Sequence, residues 1–301
     1  MRKPGLAADV GLLLLANIVW GSTDVVAKIA LADISPGALL WSRLSIALIA
    51  FLPALWIHRS EIPKDAKGLL PFFALGAFGF FLDFYLVYFG LRLAPASHAT
   101  AFRISEVLAI VLLSAIILRE KVGRRAALGL ICGMVGVALV LDIDFHNLSL
   151  FKSGARLGDL LIIAGIFTEG LYTVIGKSVL KKTSPLLATA LAVFFGWILI
   201  TIFLGPGVAR EFMAHPPTLK ALACCLYLGL IALSLMYWIY YQVLSRRDSH
   251  RVAIAIMLQP VVGIPLARLV FNDPMTPRFL SGAVLIAAGV YVALIKSEKA
   301  I

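Results

Sequence analysis

The chain is a succession of apolar stretches, each about long enough to cross a bilayer, joined by connections too short to fold alone. A membrane helix needs about 20 mostly apolar residues. Hydropathy marks ten such stretches, at approximately 10–31, 36–57, 68–91, 95–118, 123–141, 157–179, 184–204, 218–243, 249–271 and 277–295. No water is available in the hydrocarbon layer, so each backbone must close its own hydrogen bonds, which a helix does within one segment. The expected fold is therefore an all-α membrane protein of ten transmembrane helices. Composition agrees: 61% of the 301 residues are hydrophobic, 14% are charged and the mean hydropathy is +0.98. Soluble domains are about one quarter charged.

The first 21 residues, MRKPGLAADVGLLLLANIVWG, resemble a secretory signal, with two cations before an apolar run. The run continues through STDVVAKIALA and more spans follow, so it reads as a retained first helix. Cys132, Cys224 and Cys225 all lie in apolar spans without framework spacing and read as packing residues rather than a disulfide or metal site.

Lys and Arg set the orientation. With the N-terminus in the cytoplasm, sixteen of them fall in cytoplasmic segments: Arg2, Lys3, Arg59, Lys64, Lys67, Arg119, Lys121, Arg124, Arg125, Lys181, Lys182, Arg246, Arg247, Arg251, Lys296 and Lys299. Six fall on the other side: Arg92, Lys152, Arg156, Arg210, Lys220 and Arg278. Both termini are thus expected inside, as in a bacterial inner-membrane protein. The net charge of +11 follows from this bias and from attraction to an anionic leaflet, and calls for no nucleic-acid partner.

The halves resemble each other. EKVGRRAALGLICGMVGV sets Glu120, Gly129, Gly136 and Val137, and DPMTPRFLSGAVLIAAGV sets Asp273, Gly282, Gly289 and Val290, at a constant offset of 153. Leu91 and Leu244 share that offset, and Lys28 precedes Pro36 as Lys177 precedes Pro185. The expected units are 1–143 and 157–301. Five helices per unit is an odd number, so the two must be inverted, with a substrate site between them near mid-membrane.

Ten spans, WGS in the first, acids ending the fourth and ninth, and Gly-rich fifth and tenth spans resemble the EamA-type branch of the drug/metabolite transporter superfamily. The best-matching stretches are LQPVVGIPLARLVFND and LSGAVLIAAGVYVAL. The resemblance implies metabolite or drug export, two inverted repeats, cytoplasmic ends and a central cavity. The chain departs from the pattern where Val107 stands opposite Pro260 of the ninth span, and where Asp273 replaces the usual Glu.

A charge at the bilayer centre costs about 2.5–3.5 kcal/mol on insertion scales, so charges there are paired or face a cavity. Asn17, Trp20, Asp24 and Lys28 share one face of the first span, and Asp24 is spaced to pair with Lys28. Glu169, Thr173 and Lys177 repeat the pattern in the sixth span at offset 149. In AFRISEVLAIVLLSAIILRE, Arg103 and Glu106 share a face; Gln259 is the counterpart of Glu106 in the ninth span. Arg43, Asp83, Tyr237, Trp238, Tyr240 and Tyr241 add polar groups to other spans. Several of these have a second reading. Arg103 and Glu106 form either a packing pair or a cavity wall. Lys28, Lys177 and Arg268 either snorkel or face inward. The aromatics of the eighth span line the site or form an interface belt. His98 and His250 stand near span starts and read as interfacial.

The expected cavity comprises Trp20, Asp24, Arg43, Asp83, Arg103, Glu106, Glu169, Tyr237, Tyr241 and Gln259, with Asp24 and Glu106 as candidate proton carriers. Mixed charge beside aromatics favours a small amino-acid-like or polar metabolite exported by a secondary transporter, with no cofactor or metal. An organic-anion or nucleotide-sugar carrier would need a mainly cationic cavity. An intramembrane enzyme is disfavoured: no GxSxG or HExxH occurs, and Asp142 and Asp144 in LDIDFHN read as a solvated loop. A receptor without transport would have no use for the inverted repeat. The sequence assigns no oligomeric state.

Overall fold

A computed structural model describes residues 6–103, 105–117, 124–140, 154–246 and 259–294. Glu120, Asp142, Asp144, His250, both termini and the start of the ninth expected span lie outside the described residues. Among the described residues the chain is helical and has no strand. The helices are α1 (Leu6–Ala30), α2 (Pro36–Ile57), α3 (Ala66–Leu93), α4 (Ala96–Arg103), α5 (Ser105–Ile117), α6 (Arg124–Val140), α7 (Gly154–Val179), α8 (Pro185–Ala214), α9 (Leu219–Leu244), α10 (Gln259–Phe271) and α11 (Pro277–Leu294). Six of them are long and apolar enough to cross a membrane: α1, α2, α3, α7, α8 and α9. The helical parts described in α6, α10 and α11 are shorter and apolar.

Helix starts follow local chemistry. Ser35 caps α2 by accepting a hydrogen bond from the Ala38 N–H at 3.1 Å, and Ser184 caps α8 through Leu187 at 3.3 Å. Each cap is followed by a proline, whose missing N–H costs nothing in the first turn. Asp65 caps α3 through Gly68 at 3.1 Å, and Thr218 caps α9 through Ala221 at 3.2 Å. At the α1–α2 turn, Asp33 accepts from the backbone N–H and hydroxyl of Thr218 at 2.9 and 2.7 Å. These hydrogen bonds hold its carboxyl below the usual carboxylate range. At the end of α10, Asn272 takes a left-handed φ of 55°, a common way to stop a helix. Arg268 then donates to the carbonyls of Asn272 and Asp273 at 3.2 and 3.1 Å.

Two helices widen to π geometry part-way along: α3 over Gly76–Leu82 and α9 over Tyr227–Leu235. The wider turn exposes carbonyls that an α-helix would occupy. Ser234 donates to Gly229 at 2.8 Å, and the Trp20 indole reaches across from α1 to Ala232 at 2.9 Å. Such segments are frequent at functional sites.

α6 lies against α11, α2 against α8, α1 against α9 and α10, and α7 against α3 and α5. Glycines set the closest approach of α6 and α11. A Cβ on Gly136 would sit 2.7 Å from the Gly282 carbonyl, and one on Gly282 would meet the Gly136 carbonyl at the same distance. Small residues allow backbones to touch in this way where no hydrophobic effect draws helices together. Ile49, Ile202, Phe203, Leu269 and Val284 leave most of their surface on the outside, as expected of a lipid-facing exterior. Asp24, Arg43, Asp83, Arg103, Glu106 and Glu169 are instead buried in the interior.

Candidate functional site

At the centre, α1, α2, α3, α4, α5, α7, α9 and α10 enclose a cavity of about 30 Å³. A water needs about 10–15 Å³ of such space. In this conformation the cavity is closed down around its own polar groups, and a solute enters only if the walls move.

Its centre is Arg103 of α4. The guanidinium donates to Glu169 Oε2 from α7, to Asp24 Oδ1 from α1 at 3.4 Å, and stands 4.0 Å from Asp83 of α3. Four elements are thereby tied to one side chain. Arginine suits this because its planar fork offers five donors at fixed angles. Tyr237 of α9 donates to the other oxygen of Glu169 at 2.8 Å. Arg43 of α2 donates to the Tyr88 hydroxyl and lies 3.8 Å over the Phe84 ring, a cation–π contact. Gln259 donates to Asn17 Oδ1 at 2.9 Å, joining α10 to α1. The Trp20 ring packs edge-on against Tyr237 at 5.0 Å.

Of the ten residues expected here, Trp20, Asp24, Arg43, Arg103, Glu106, Glu169, Tyr237 and Gln259 line the cavity. Asp83 does not. It is wholly buried behind Arg103, and neither carboxylate oxygen has a hydrogen-bond partner. Tyr241 does not either; it is wholly buried and stacks on Tyr172 at 5.2 Å. The interface-belt reading of α9 is corrected, since Tyr237, Tyr240 and Tyr241 are all buried.

The two ion pairs that helical spacing allows are not formed among the described residues. Arg103 turns to α1, α3 and α7 rather than back to Glu106 on its own side, because three carboxylates converge on its guanidinium. Lys28 does not pair with Asp24, whose near oxygen faces Arg103. It donates instead to the Ala94 carbonyl, one turn further along α1 and beside the Phe271 ring.

Thr23, Phe84, Tyr88 and Tyr172 also line the cavity and were not singled out by sequence reasoning. A signal for two of them exists: Phe80, Phe84 and Tyr88 recur every four residues beside Asp83, on the stretch of α3 that carries the buried charge.

Polar ties flank the cavity along the helix axes. At one end His98 Nδ1 lies 3.1 Å from both oxygens of Asp159, and its ring stacks on Phe279 at 5.5 Å. Asp273 accepts from the Ser97 N–H nearby at 2.9 Å. At the other end Arg246 stands 3.5 Å from the buried Asp9. Among the described residues no cluster of side chains is arranged to hold a metal ion.

A lipid-facing helical exterior around a buried, mixed-charge cavity defines an integral membrane protein of the transporter class. The EamA-like transporter family model matches residues 9–142 and 156–295, so the chain belongs to the EamA-like transporter family. Its family members are transporters and not enzymes. A Salmonella typhimurium protein called a probable amino-acid metabolite efflux pump is 27% identical over 300 residues, covering 97% of this chain and 94% of that one. An Archaeoglobus fulgidus protein called an uncharacterized transporter is 26% identical over 286 residues, covering 94% and 98%. A solved crystal structure matches with a TM-score of 0.63 and 17% identity over 96% of this chain and 97% of that one, a likeness of fold.

Proposed function

We propose that the protein is a secondary transporter that exports a small amino-acid-like or polar metabolite by alternating access. The observation that carries this is the composition of the central cavity. Arg43 and Arg103 face Asp24, Glu106 and Glu169, with Asp83 behind, among aromatic rings. One guanidinium within 4.0 Å of three carboxylates leaves the cluster short of positive charge. A substrate ammonium group or a proton supplies what is missing, and the two compete for the same carboxylates. The name of the Salmonella relative points to the same substrate class. An organic-anion or nucleotide-sugar carrier is the weaker reading, because acids outnumber arginines in this cluster.

The architecture in this proposal is ten spans in two inverted repeats, 1–143 and 157–301, with both termini in the cytoplasm of a bacterium. Three pairs of features support the repeat. The caps Ser35 and Ser184 stand 149 residues apart, and Asp65 and Thr218 stand 153 apart. The π segments of α3 and α9 overlap when one is displaced by 153. Packing agrees: exchanging the halves carries the α1–α10 contact onto α7–α5 and the α3–α7 contact onto α9–α1, and carries α2–α8 and α6–α11 onto themselves. The ties His98–Asp159 and Asp9–Arg246 each join one half to the other, at opposite ends of the cavity. Breaking one while the other holds would open the site to one face at a time.

Asp24 and Glu106 are the proposed proton carriers. In proteoliposomes loaded with labelled amino acids, an acid-outside gradient is expected to accelerate efflux several-fold. Asp24→Asn and Glu106→Gln should lose that drive while still exchanging substrate. Wild-type rates that ignore the gradient would mean facilitated diffusion.

A further inference from the structure

We propose that a second cavity, separate from the central one, binds an anionic diacyl phospholipid. It lies between the start of α3, the end of α5 and the end of α7, and has a volume of about 910 Å³. It shares no lining residue with the central cavity.

Its chemistry changes along its length. The mouth carries Lys67 from the first turn of α3 and Lys181 and Lys182 from the turn after α7. Among the described residues none of these three has a carboxylate within 4.0 Å. Among the described lining residues the acid at the mouth is Glu61, which is engaged by His58 at 2.7 Å. Below the mouth the walls are apolar: Phe72, Ile117, Ile175 and Val179 lie along it. From Lys67 to Ala74 the wall descends about 10 Å along the helix axis, at about 1.5 Å per residue. Leu70 and Ile117 line the cavity and are 63% and 48% exposed, so its flank is open to the hydrocarbon layer.

A soluble anion would find the lysines but would have no use for the apolar descent. A neutral lipid would fill the descent but leave three ammonium groups unanswered. A phospholipid with a net negative headgroup satisfies both, its phosphate at the lysines and an acyl chain along α3 and α7. The mouth lies on the face that the cation distribution assigns to the cytoplasm, where anionic lipids attract basic segments. The long stems of lysine also suit the headgroup level, where the ammonium reaches the phosphate while the chain stays against apolar surface. Because α7 carries Glu169 on the central cavity and Val174, Ile175, Ser178 and Val179 on this one, the lipid would brace a helix of the transport site.

The test titrates detergent-purified protein with dioleoyl phosphatidylglycerol, dioleoyl phosphatidylcholine and glycerol 3-phosphate, with bound lipid counted by native mass spectrometry and stability read by thermal melting. Phosphatidylglycerol is expected to bind at least ten-fold more tightly than phosphatidylcholine and to raise the melting temperature, while glycerol 3-phosphate does neither. Each lysine near a charged headgroup is worth about 1 kcal/mol, so the triple variant Lys67→Gln, Lys181→Gln, Lys182→Gln should lose about 100-fold for phosphatidylglycerol and little for phosphatidylcholine. Ser178→Phe, which fills the cavity without touching a charge, should displace the lipid independently and decides the matter if the triple variant does not fold. Equal affinity for the two lipids, or full phosphatidylglycerol binding by a folded variant, would overturn the proposal. So would stabilisation by glycerol 3-phosphate alone, which would make this a soluble-anion site.

Discussion

Replacing Arg103 with leucine is expected to abolish transport and to destabilise the folded chain by about 3–5 kcal/mol, the usual cost of removing one partner from a buried ion pair. The effect should be this large because Arg103 faces carboxylates from three other helices, and its loss leaves Asp24, Asp83 and Glu169 together in a closed interior. Arg103→Lys should recover part of the stability, since a point charge replaces the fork but cannot span Asp24 and Glu169 at once. The informative variant combines Arg103→Leu with Asp24→Asn, Asp83→Asn and Glu169→Gln. It removes the repulsion, so thermal melting in detergent should return close to wild type. Transport should stay absent. A variant that folds and also transports would reduce the cluster to a packing device.

Gly263→Leu is expected to leave almost no correctly folded protein. A Cβ there would run into the Gly21 carbonyl and the Thr100 side chain, and one on Gly21 would lie 2.7 Å from the Gln259 carbonyl. α1 and α10 therefore cross backbone to backbone, beside the Asn17–Gln259 hydrogen bond at the edge of the cavity. Overpacking usually costs about 1–3 kcal/mol when side chains can yield. Here the obstacle is backbone, and the cost should exceed that range. Gly207→Ala in α8 is the control, because nothing lies within 4 Å of its position. The monodisperse fraction in size-exclusion chromatography should collapse for the first and hold for the second.

Much of this arrangement was legible in the sequence because the bilayer restricts what a chain can do. Apolar length located the six long helices, and the cost of burying charge singled out Asp24, Arg43, Arg103, Glu106 and Glu169 as interior groups. The pairing of those charges was not legible. Helical spacing joins Asp24 to Lys28 and Arg103 to Glu106, yet spacing reports only neighbours on one helix. The guanidinium took its partners from α1, α3 and α7, and nothing local encodes which helices will meet. The π segments were missed for a related reason: GAFGFFL and YLGLIALSL have the composition of ordinary membrane helix, and the widening shows only in the backbone. Tyr241 was expected in the cavity from its neighbours in sequence, but its ring turned to Tyr172 instead. The second cavity was invisible because Lys67 and Lys181 are 114 positions apart and each alone reads as a solvated loop charge.

The most direct test of a mixed-charge substrate site is competition during counterflow in proteoliposomes. Protein is loaded with a labelled neutral amino acid and challenged with three unlabelled forms of it: the free zwitterion, the methyl ester that lacks the carboxylate, and the N-acetyl form that lacks the ammonium. The zwitterion is expected to compete fully. Each single-charge form should be weaker by ten-fold or more, since it leaves either the arginines or the carboxylates unanswered. Competition by the N-acetyl form equal to that of the zwitterion, or transport of a nucleotide sugar with no response to any amino acid, would contradict the site as described.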